Sequence, residues 1–153
     1  MSFFNAIVNS VDDEGLRESL QERLDIVAHK IKFMEKVPVA CLDTENWAST
    51  TLGDIIEAAG GLVQEDAMLA KVVIYHEPNI GMVELMGIVP SLLDPQWPAV
   101  TYNRVYLVEN DALLEQDASA LVGALEDVAE MLYPGYFVFG NEGRTWTSFG
   151  VQF

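Results

Sequence analysis

Cysteine, histidine and basic residues are all scarce in this sequence. One cysteine, Cys41, and two histidines are present. A single cysteine cannot form an internal disulfide, and it lacks the companion ligands that a metal site needs. Acid–base and thiol chemistry are therefore poorly supplied. We expect Cys41 to pack in the hydrophobic core.

Positive charge is the next shortage. There are 24 acids against 8 bases, and the formal net charge is −16. Beyond Lys71 only Arg104 and Arg144 are basic, against eleven acids. Because phosphate backbones and anionic membranes are bound by clustered Lys and Arg, neither a nucleic acid nor a membrane surface is an expected partner. We interpret the acidity mainly as a solvated surface that aids solubility, with a cationic ligand or a basic partner as the alternative.

Several diagnostic patterns are also missing. No apolar run is long enough to span a membrane, so membrane insertion is not expected. The first fifteen residues lack the basic and apolar segments of a secretory signal, which predicts a cytoplasmic location. There is no glycine-rich phosphate loop, no G-x-S-x-G and no H-E-x-x-H, so we predict neither an enzyme nor a cofactor. A hydrolase or transferase that uses a pair of carboxylates is a further alternative, but the sequence does not locate such a pair.

What is present is an alternation of buried strands and helices. Half of the 153 residues are hydrophobic, enough for one domain with its own core. The stretch 37–61 contains an apolar strand (37–42), a polar loop (43–51) and a helix (52–59) that Gly60-Gly61 stops. The expected organisation is a helical lead-in at 1–36, an α/β lobe at 37–135 and an extended tail at 136–153.

The longest periodic segment runs from Glu14 to Lys36. Its apolar residues recur every three or four positions, which predicts one long helix with a single apolar face: Leu16, Leu20, Leu24, Val27, Ile31 and Met34. We expect this stripe to pack on the protein's own sheet, with a coiled-coil seam between subunits as the alternative. Further helices are predicted at 3–11, 80–86 and 117–133, and further strands at 71–75 and 104–108. The tail is interpreted as a hairpin or an extended flap.

The predicted fold class is α/β: a three-layer sandwich with a mainly parallel sheet of about four strands, preceded by a long helix. Ligands of open parallel sheets bind outside the carboxyl ends of the strands. The candidate ligand-binding residues are therefore the polar and aromatic side chains that follow the strands: Trp47, Thr50, Thr51, His76, Glu77, Asn79, Asn110 and Asp111. Trp47 half-buried against its own loop is an equally weighted alternative. A metal site at His76-Glu77 is disfavoured, because adjacent residues of an extended segment point in opposite directions.

One run of residues resembles a known family. The segment TLGDIIEAAGG (51–61) looks like the T-x-G-[DE]-[IL]-I-x-x-A-G-G signature of helical-backbone periplasmic binding proteins, which deliver cobalamin, haem and iron-siderophores to ABC importers. Weaker likeness continues in order through PAV (98–100), RVY (104–106), LV (121–122), LE (125–126) and YP (133–134). The long helix resembles the helix that joins the two lobes in that family. The resemblance covers that helix and the C-terminal lobe, without the N-terminal lobe.

This resemblance implies a function and a partner class. It implies a non-enzymatic binding module like one lobe of an importer's substrate receptor, with a tetrapyrrole or a metal chelate (cobalamin, haem or a ferric siderophore) as ligand. The alternative is a protein-interaction or homodimerisation domain that has lost the ligand. In that case the apolar surfaces that a partner lobe would cover, namely Phe3, Phe4, the Leu16–Met34 stripe and the aromatic tail, favour a homo-oligomer.

Overall fold

The strand predicted at residues 37–42 lies inside a parallel sheet. A computed structural model describes residues 1–109 and 117–150. Within those ranges the helices are α1 (Ser2–Asn9), α2 (Glu14–Ile31), α3 (Gly53–Ala58), α4 (Met82–Ile88), α5 (Pro98–Thr101) and α6 (Ala118–Leu132). The strands are β1 (Val37–Leu42), β2 (Gly61–Val63), β3 (Val72–Tyr75), β4 (Val105–Val108) and β5 (Trp146–Ser148). Two short 3₁₀ turns, Ala67–Leu69 and Val89–Ser91, complete the described elements.

Among the described residues, five strands form one sheet in the order β2-β1-β3-β4-β5. The first four run parallel to one another, and β5 pairs antiparallel with β4. The register places Leu42 opposite Tyr75, and Tyr75 opposite Leu107. The carboxyl ends of β1, β3 and β4 therefore meet at one edge. This confirms the predicted α/β class with a mainly parallel sheet, and adds one strand to the expected number.

Alternate residues of the three central strands enter two separate cores. Val39, Cys41 and Ile74 face the core shared with α1, α2, α3 and α6. Ala40 and Tyr75 face the core shared with α4, α5 and the 3₁₀ turns. Helices thus cover both faces of the sheet, which is why these strands are apolar at almost every position. The Cys41 thiol is buried in the first core, where burial and secondarily the charge of Asp43 raise its pKa to about 12.

Helix α2 belongs to an outer layer. It begins after Asp13, whose Oδ1 accepts the Leu16 N–H at 2.9 Å, as expected of an acidic N-cap. Its buried side chains Leu20, Leu24 and Val27 pack within the first core, where α2 contacts α1 and α6. Burial of each such side chain is worth roughly 1.5–3 kcal/mol, so the stripe from Leu20 onwards packs within the chain, whereas Leu16 is exposed. No helix among the described residues is long and apolar enough to cross a membrane.

Four local predictions differ from the structure. Helix α2 ends at Ile31, five residues before the predicted end at Lys36. No strand is predicted between 42 and 71, but Gly61–Val63 pairs with β1 as the edge strand β2. The tail forms no hairpin between 136–139 and 145–149, since residues 146–148 pair with β4 instead. Helix α4 begins at Met82 and ends at Ile88, two residues later than predicted.

Helix α6 is covered on more sides than its pattern indicates. Acidic side chains of a helix usually face solvent, yet Glu126 and Asp127 are only 8% and 3% exposed. Arg23 of α2 lies over Glu126, with Nη2–Oε1 at 2.5 Å and Nε–Oε2 at 3.3 Å. The tail lies over Asp127, which accepts hydrogen bonds from Asn141 Nδ2 (3.0 Å) and Thr145 Oγ1 (2.6 Å). Tertiary partners thus replace solvent for both carboxylates.

Candidate functional site

The parallel register brings two of the predicted site loops to the same edge of the sheet. Residues 43–52 follow β1, and residues 76–81 follow β3, its direct neighbour. Trp47, Thr50 and Thr51 lie in the first loop, and His76, Glu77 and Asn79 lie in the second. The remaining two predicted residues, Asn110 and Asp111, lie outside the described residues. We call this edge, with its two loops and Glu109 after β4, the carboxyl edge.

Asp43 fixes the fold of the first loop. Its Oδ1 accepts the N–H groups of Glu45 (2.8 Å) and Trp47 (3.0 Å), and its own N–H donates to the Trp47 carbonyl (3.0 Å). Asp side chains commonly close turns by such bonds to backbone a few residues on. Farther along, the Ser49 N–H donates to the Cys41 carbonyl at 2.8 Å, which returns the chain to the end of β1. The loop is therefore a closed turn that projects its tip from the sheet.

Trp47 stands at that tip with 68% of its surface exposed. The alternative in which the indole is half-buried against its own loop is therefore wrong. An exposed tryptophan on a hydrogen-bonded loop is a large apolar surface held at little entropic cost, which is typical of binding sites. Nearby, Thr50 is exposed, while the Thr51 and Ser49 hydroxyls share a short hydrogen bond at the approach to α3.

Asn46 connects this loop to the sheet, and sequence reasoning missed it. Its Nδ2 donates to the Leu92 carbonyl, and its Oδ1 accepts from the Tyr75 hydroxyl, both at 2.7 Å. Burial raises the pKa of Tyr75, so this phenol keeps its proton and remains a donor. Asn46 has φ +62°, a left-handed conformation that asparagine tolerates better than most residues. An asparagine in a polar loop is the only signal that could have indicated this position.

The second loop is less accessible at its start. The His76 N–H donates to the Leu42 carbonyl at 3.1 Å, and the residue is only 2% exposed. Glu77 Oε1 accepts from Thr44 Oγ1 at 2.8 Å, which joins the two loops directly. Asn79 is exposed with φ +68°. Contact between His76 and a ligand stays a prediction, and it requires the atoms that cover His76 to move.

The carboxyl edge is rich in carboxylates. Neither loop contains Lys or Arg, whereas Asp43, Glu45 and Glu77 lie within them. The Glu109 carboxylate lies close to the second loop, with Oε1 3.7 Å from the position that a Cβ on Gly81 would occupy. Arg144 precedes Thr145, whose carbonyl accepts the Glu109 N–H at 2.9 Å, so one base lies beyond β4. No group of three His, Cys, Asp or Glu side chains suited to a bare metal ion occurs within 1–109 and 117–150.

Comparison with known proteins gives matches in structure but not in sequence. No family model and no curated protein matches the chain. An ABC transporter substrate-binding protein from Listeria monocytogenes EGD-e matches with TM-score 0.59 and 17% identity, over 86% of this chain and 62% of that protein. The TroA-like periplasmic binding protein FepB from Veillonella parvula matches with TM-score 0.58 and 13% identity, over 79% of this chain and 46% of that one. Helicobacter pylori CeuE, in a complex with Ni-His, matches with TM-score 0.55 and 14% identity, over 78% and 45%.

These structures show which fold the chain has. The chain spans less than two thirds of each neighbour, which fits a single lobe of a TroA-like substrate-binding protein. The predicted resemblance to such a lobe is therefore confirmed at the level of the fold. At these sequence identities the likeness carries no ligand with it.

Proposed function

We propose that this lobe is a non-enzymatic binding module that holds a tetrapyrrole or a metal chelate at its carboxyl edge. The observation that carries the proposal is Trp47, exposed on a loop that Asp43 and Asn46 fix, at the edge where parallel sheets bind ligands. An exposed aromatic surface of this kind suits a flat or ringed ligand. The backbone that carries it is held by hydrogen bonds, so little backbone freedom is lost on binding.

The charges of the carboxyl edge narrow the ligand class within this proposal. Neither loop supplies a cation to neutralise a carboxylate or a catecholate, while Asp43, Glu45 and Glu77 repel anions. A neutral or cationic complex, such as cobalamin or a ferric hydroxamate, fits this edge better than haem with its two propionates. Metal arrives within the chelate, since the described side chains form no site for a bare ion.

The experiment is a calorimetric titration of the protein with cobalamin, haem, a neutral ferric hydroxamate and an anionic ferric catecholate. We expect saturable binding of a neutral or cationic complex, and at least about tenfold weaker binding of the anionic ones, corresponding to about 1.4 kcal/mol. If none of the four binds saturably, the ligand-binding proposal is wrong. If the anionic complexes bind best, the charge argument fails while the binding proposal stands.

A matched pair of variants tests the role of Trp47. Trp47→Ala is expected to weaken binding by about tenfold or more, because a stacked aromatic contact is lost. Tyr136→Ala removes another exposed aromatic, at 64% exposure, from the tail and is expected to leave binding unchanged. Equal effects of the two substitutions would place the ligand elsewhere.

The second candidate function is a homodimerisation or protein-interaction domain. Six of the apolar side chains first considered for that contact are buried within the chain: Phe4, Leu20, Leu24, Val27, Phe137 and Trp146. The candidate is favoured by the apolar side chains that remain exposed: Leu16 (42%) and Tyr136 (64%) from that set, and Phe33 (91%) and Val83 (84%) outside it. Light scattering across a concentration series is the test. A constant monomer mass, with Phe33→Ser behaving like the parent, would remove homodimerisation.

A further inference from the structure

A cavity lies at the edge of the sheet opposite to the carboxyl edge. It measures about 380 Å³, within the usual size range of small-molecule sites. Its lining comes from the places where the chain enters the parallel strands, together with the 3₁₀ turn before β3 and the end of α5: Pro38, Met68, Leu69, Lys71, Tyr102 and Arg104. We call this the amino-edge cavity. It shares no residue with the loops of the carboxyl edge.

The walls of the amino-edge cavity include large apolar side chains that remain in contact with water. Leu69 is 66% exposed, Tyr102 is 74% exposed and Met68 is 46% exposed. Several such side chains around one concavity are characteristic of a binding surface. Their backbone is fixed, because Asp66 Oδ1 caps the 3₁₀ turn by accepting the Met68 N–H at 2.9 Å. The Met68–Leu69 wall of the cavity is therefore built on a hydrogen-bonded turn.

Two bases line the same cavity. Arg104 is held rigidly: its Nε donates to Tyr106 Oη at 3.0 Å, and its Nη2 donates to the Met131 and Leu132 carbonyls at 2.9 and 3.2 Å. Lys71 is exposed, and its N–H donates to the Pro38 carbonyl at 2.9 Å, which places it at the cavity mouth. From Lys71 onwards the sequence has three bases, and two of them line this cavity. In a chain of net charge −16, this is a local reversal of sign.

We propose that the amino-edge cavity binds a small organic carboxylate with an apolar body. The carboxylate pairs with the exposed Lys71 ammonium, and the fixed charge of Arg104, whose Nε and Nη2 are already hydrogen-bonded, adds attraction at longer range. The apolar body packs between Leu69 and Tyr102. Charge-assisted pairing supplies selectivity for anions. The apolar walls favour an organic anion over a small inorganic one, because only the organic anion gains free energy by burying apolar surface. The proposal is independent of the ligand at the carboxyl edge. Trp47→Ala should therefore leave carboxylate binding at the amino-edge cavity unchanged.

The test uses three probes that share one apolar body and differ in charge: phenylbutyrate, phenylbutanol and phenylbutylamine. Binding is measured by calorimetry and located by the methyl resonance of Met68. We expect phenylbutyrate to bind saturably and to shift that resonance, and phenylbutanol to bind about tenfold more weakly because the charged contacts are lost. Equal binding of the acid and the alcohol, or preference for the amine, overturns the proposal. So does saturation with phenylbutyrate that leaves the Met68 resonance unmoved.

Two variants of equal net charge separate a local contact from the overall field. Lys71→Gln removes a base at the cavity mouth, and Lys36→Gln removes an exposed base that does not line the cavity. We expect the first to weaken phenylbutyrate binding about tenfold and the second to change it less than about twofold. Both positions are exposed, so both variants should fold, which circular dichroism checks. Equal effects of the two substitutions would mean that net charge, and not the amino-edge cavity, governs binding.

Discussion

Gly60 closes the strand–loop–helix unit, and its replacement tests that unit. Its φ of +94° is a conformation that alanine adopts at a cost of roughly 1 kcal/mol. A Cβ there would lie 2.6 Å from the Tyr133 hydroxyl oxygen, so the ring must also move. That hydroxyl donates to the carbonyls of Glu35 (2.9 Å) and Gly60 itself (3.1 Å). Loss of this bonding adds about 1–2 kcal/mol, so we expect Gly60→Ala to lower the free energy of unfolding by about 2–3 kcal/mol.

A double-mutant cycle separates the two contributions. Tyr133→Phe removes the hydroxyl, and with it both the closest contact and the hydrogen bonds. In that background Gly60→Ala should lower the free energy of unfolding by nearer to 1 kcal/mol, because only the backbone strain and the contact with the edge of the ring remain. The measurement is urea unfolding followed by circular dichroism. An unchanged cost in the two backgrounds would show that Tyr133 plays no part in the demand for glycine.

Two other glycines are matched controls. Gly123 lies inside α6 and a Cβ there meets nothing within 4 Å, so Gly123→Ala should stabilise the protein by up to about 1 kcal/mol. Gly61 has no positive φ, but its Cβ would lie 2.9 Å from the Ile56 carbonyl oxygen, so overpacking alone predicts a loss of about 1–3 kcal/mol. If Gly60→Ala unfolds like the parent protein, the proposed helix stop is incorrect.

Three further substitutions test contacts that hold the layers together. Arg23→Met leaves the Glu126 carboxylate, 8% exposed, without its cation and should lower the free energy of unfolding in urea by about 1–2 kcal/mol. A free energy of unfolding equal to that of the parent protein would show that the pair does not stabilise the fold. Asn46→Gly keeps the positive φ but removes the acceptor of the Tyr75 hydroxyl, so a loss of about 1–3 kcal/mol is expected, and unchanged stability would mean that another acceptor replaces it. Burial raises the pKa of Asp127 in the folded state above its ordinary value of 3.8. Between the unfolded-state and folded-state pKa values the native protein therefore binds more protons than the unfolded chain, and the stability that this group contributes falls as the pH rises through that interval. Stability of Asp127→Asn relative to the parent should therefore increase as the pH is raised from about 3 and then level off above the folded-state pKa; a difference independent of pH would refute this.

The sequence predicted the parts of the fold that repeat a pattern over many residues. Helix α2 begins where expected but ends at Ile31 rather than Lys36, and the apolar strands β1, β3 and β4 lie where expected, since periodicity and burial reinforce each other there. Strand β2 was missed because three residues that begin with glycine carry no period. Its pairing is decided by Val37 opposite Gly61, a contact between two segments that no local pattern records.

Polar residues were harder to place than apolar ones. In the sequence, Glu126 and Asp127 are typical of a solvated helix face, and only the tertiary contacts with Arg23 and with the tail bury them. Trp47 was equally ambiguous, because a tryptophan in a polar loop is compatible with burial or with display. The Asp43 turn decides between the two, and its hydrogen bonds depend on how the loop closes rather than on composition.

The same parallel arrangement gives the sheet two edges of opposite chemical character. At the carboxyl edge, the loops after β1 and β3 carry carboxylates and an exposed indole. At the amino edge, Lys71 and Arg104 come immediately before β3 and β4, and parallel pairing sets both beside the same cavity. In sequence these two bases are separated by 33 positions without a motif between them, so only the register of β3 against β4 brings them together. An antiparallel β4 would have placed Arg104 at the carboxyl edge instead, beside the acids, and would have left Lys71 as the one base among the described residues that line the amino-edge cavity.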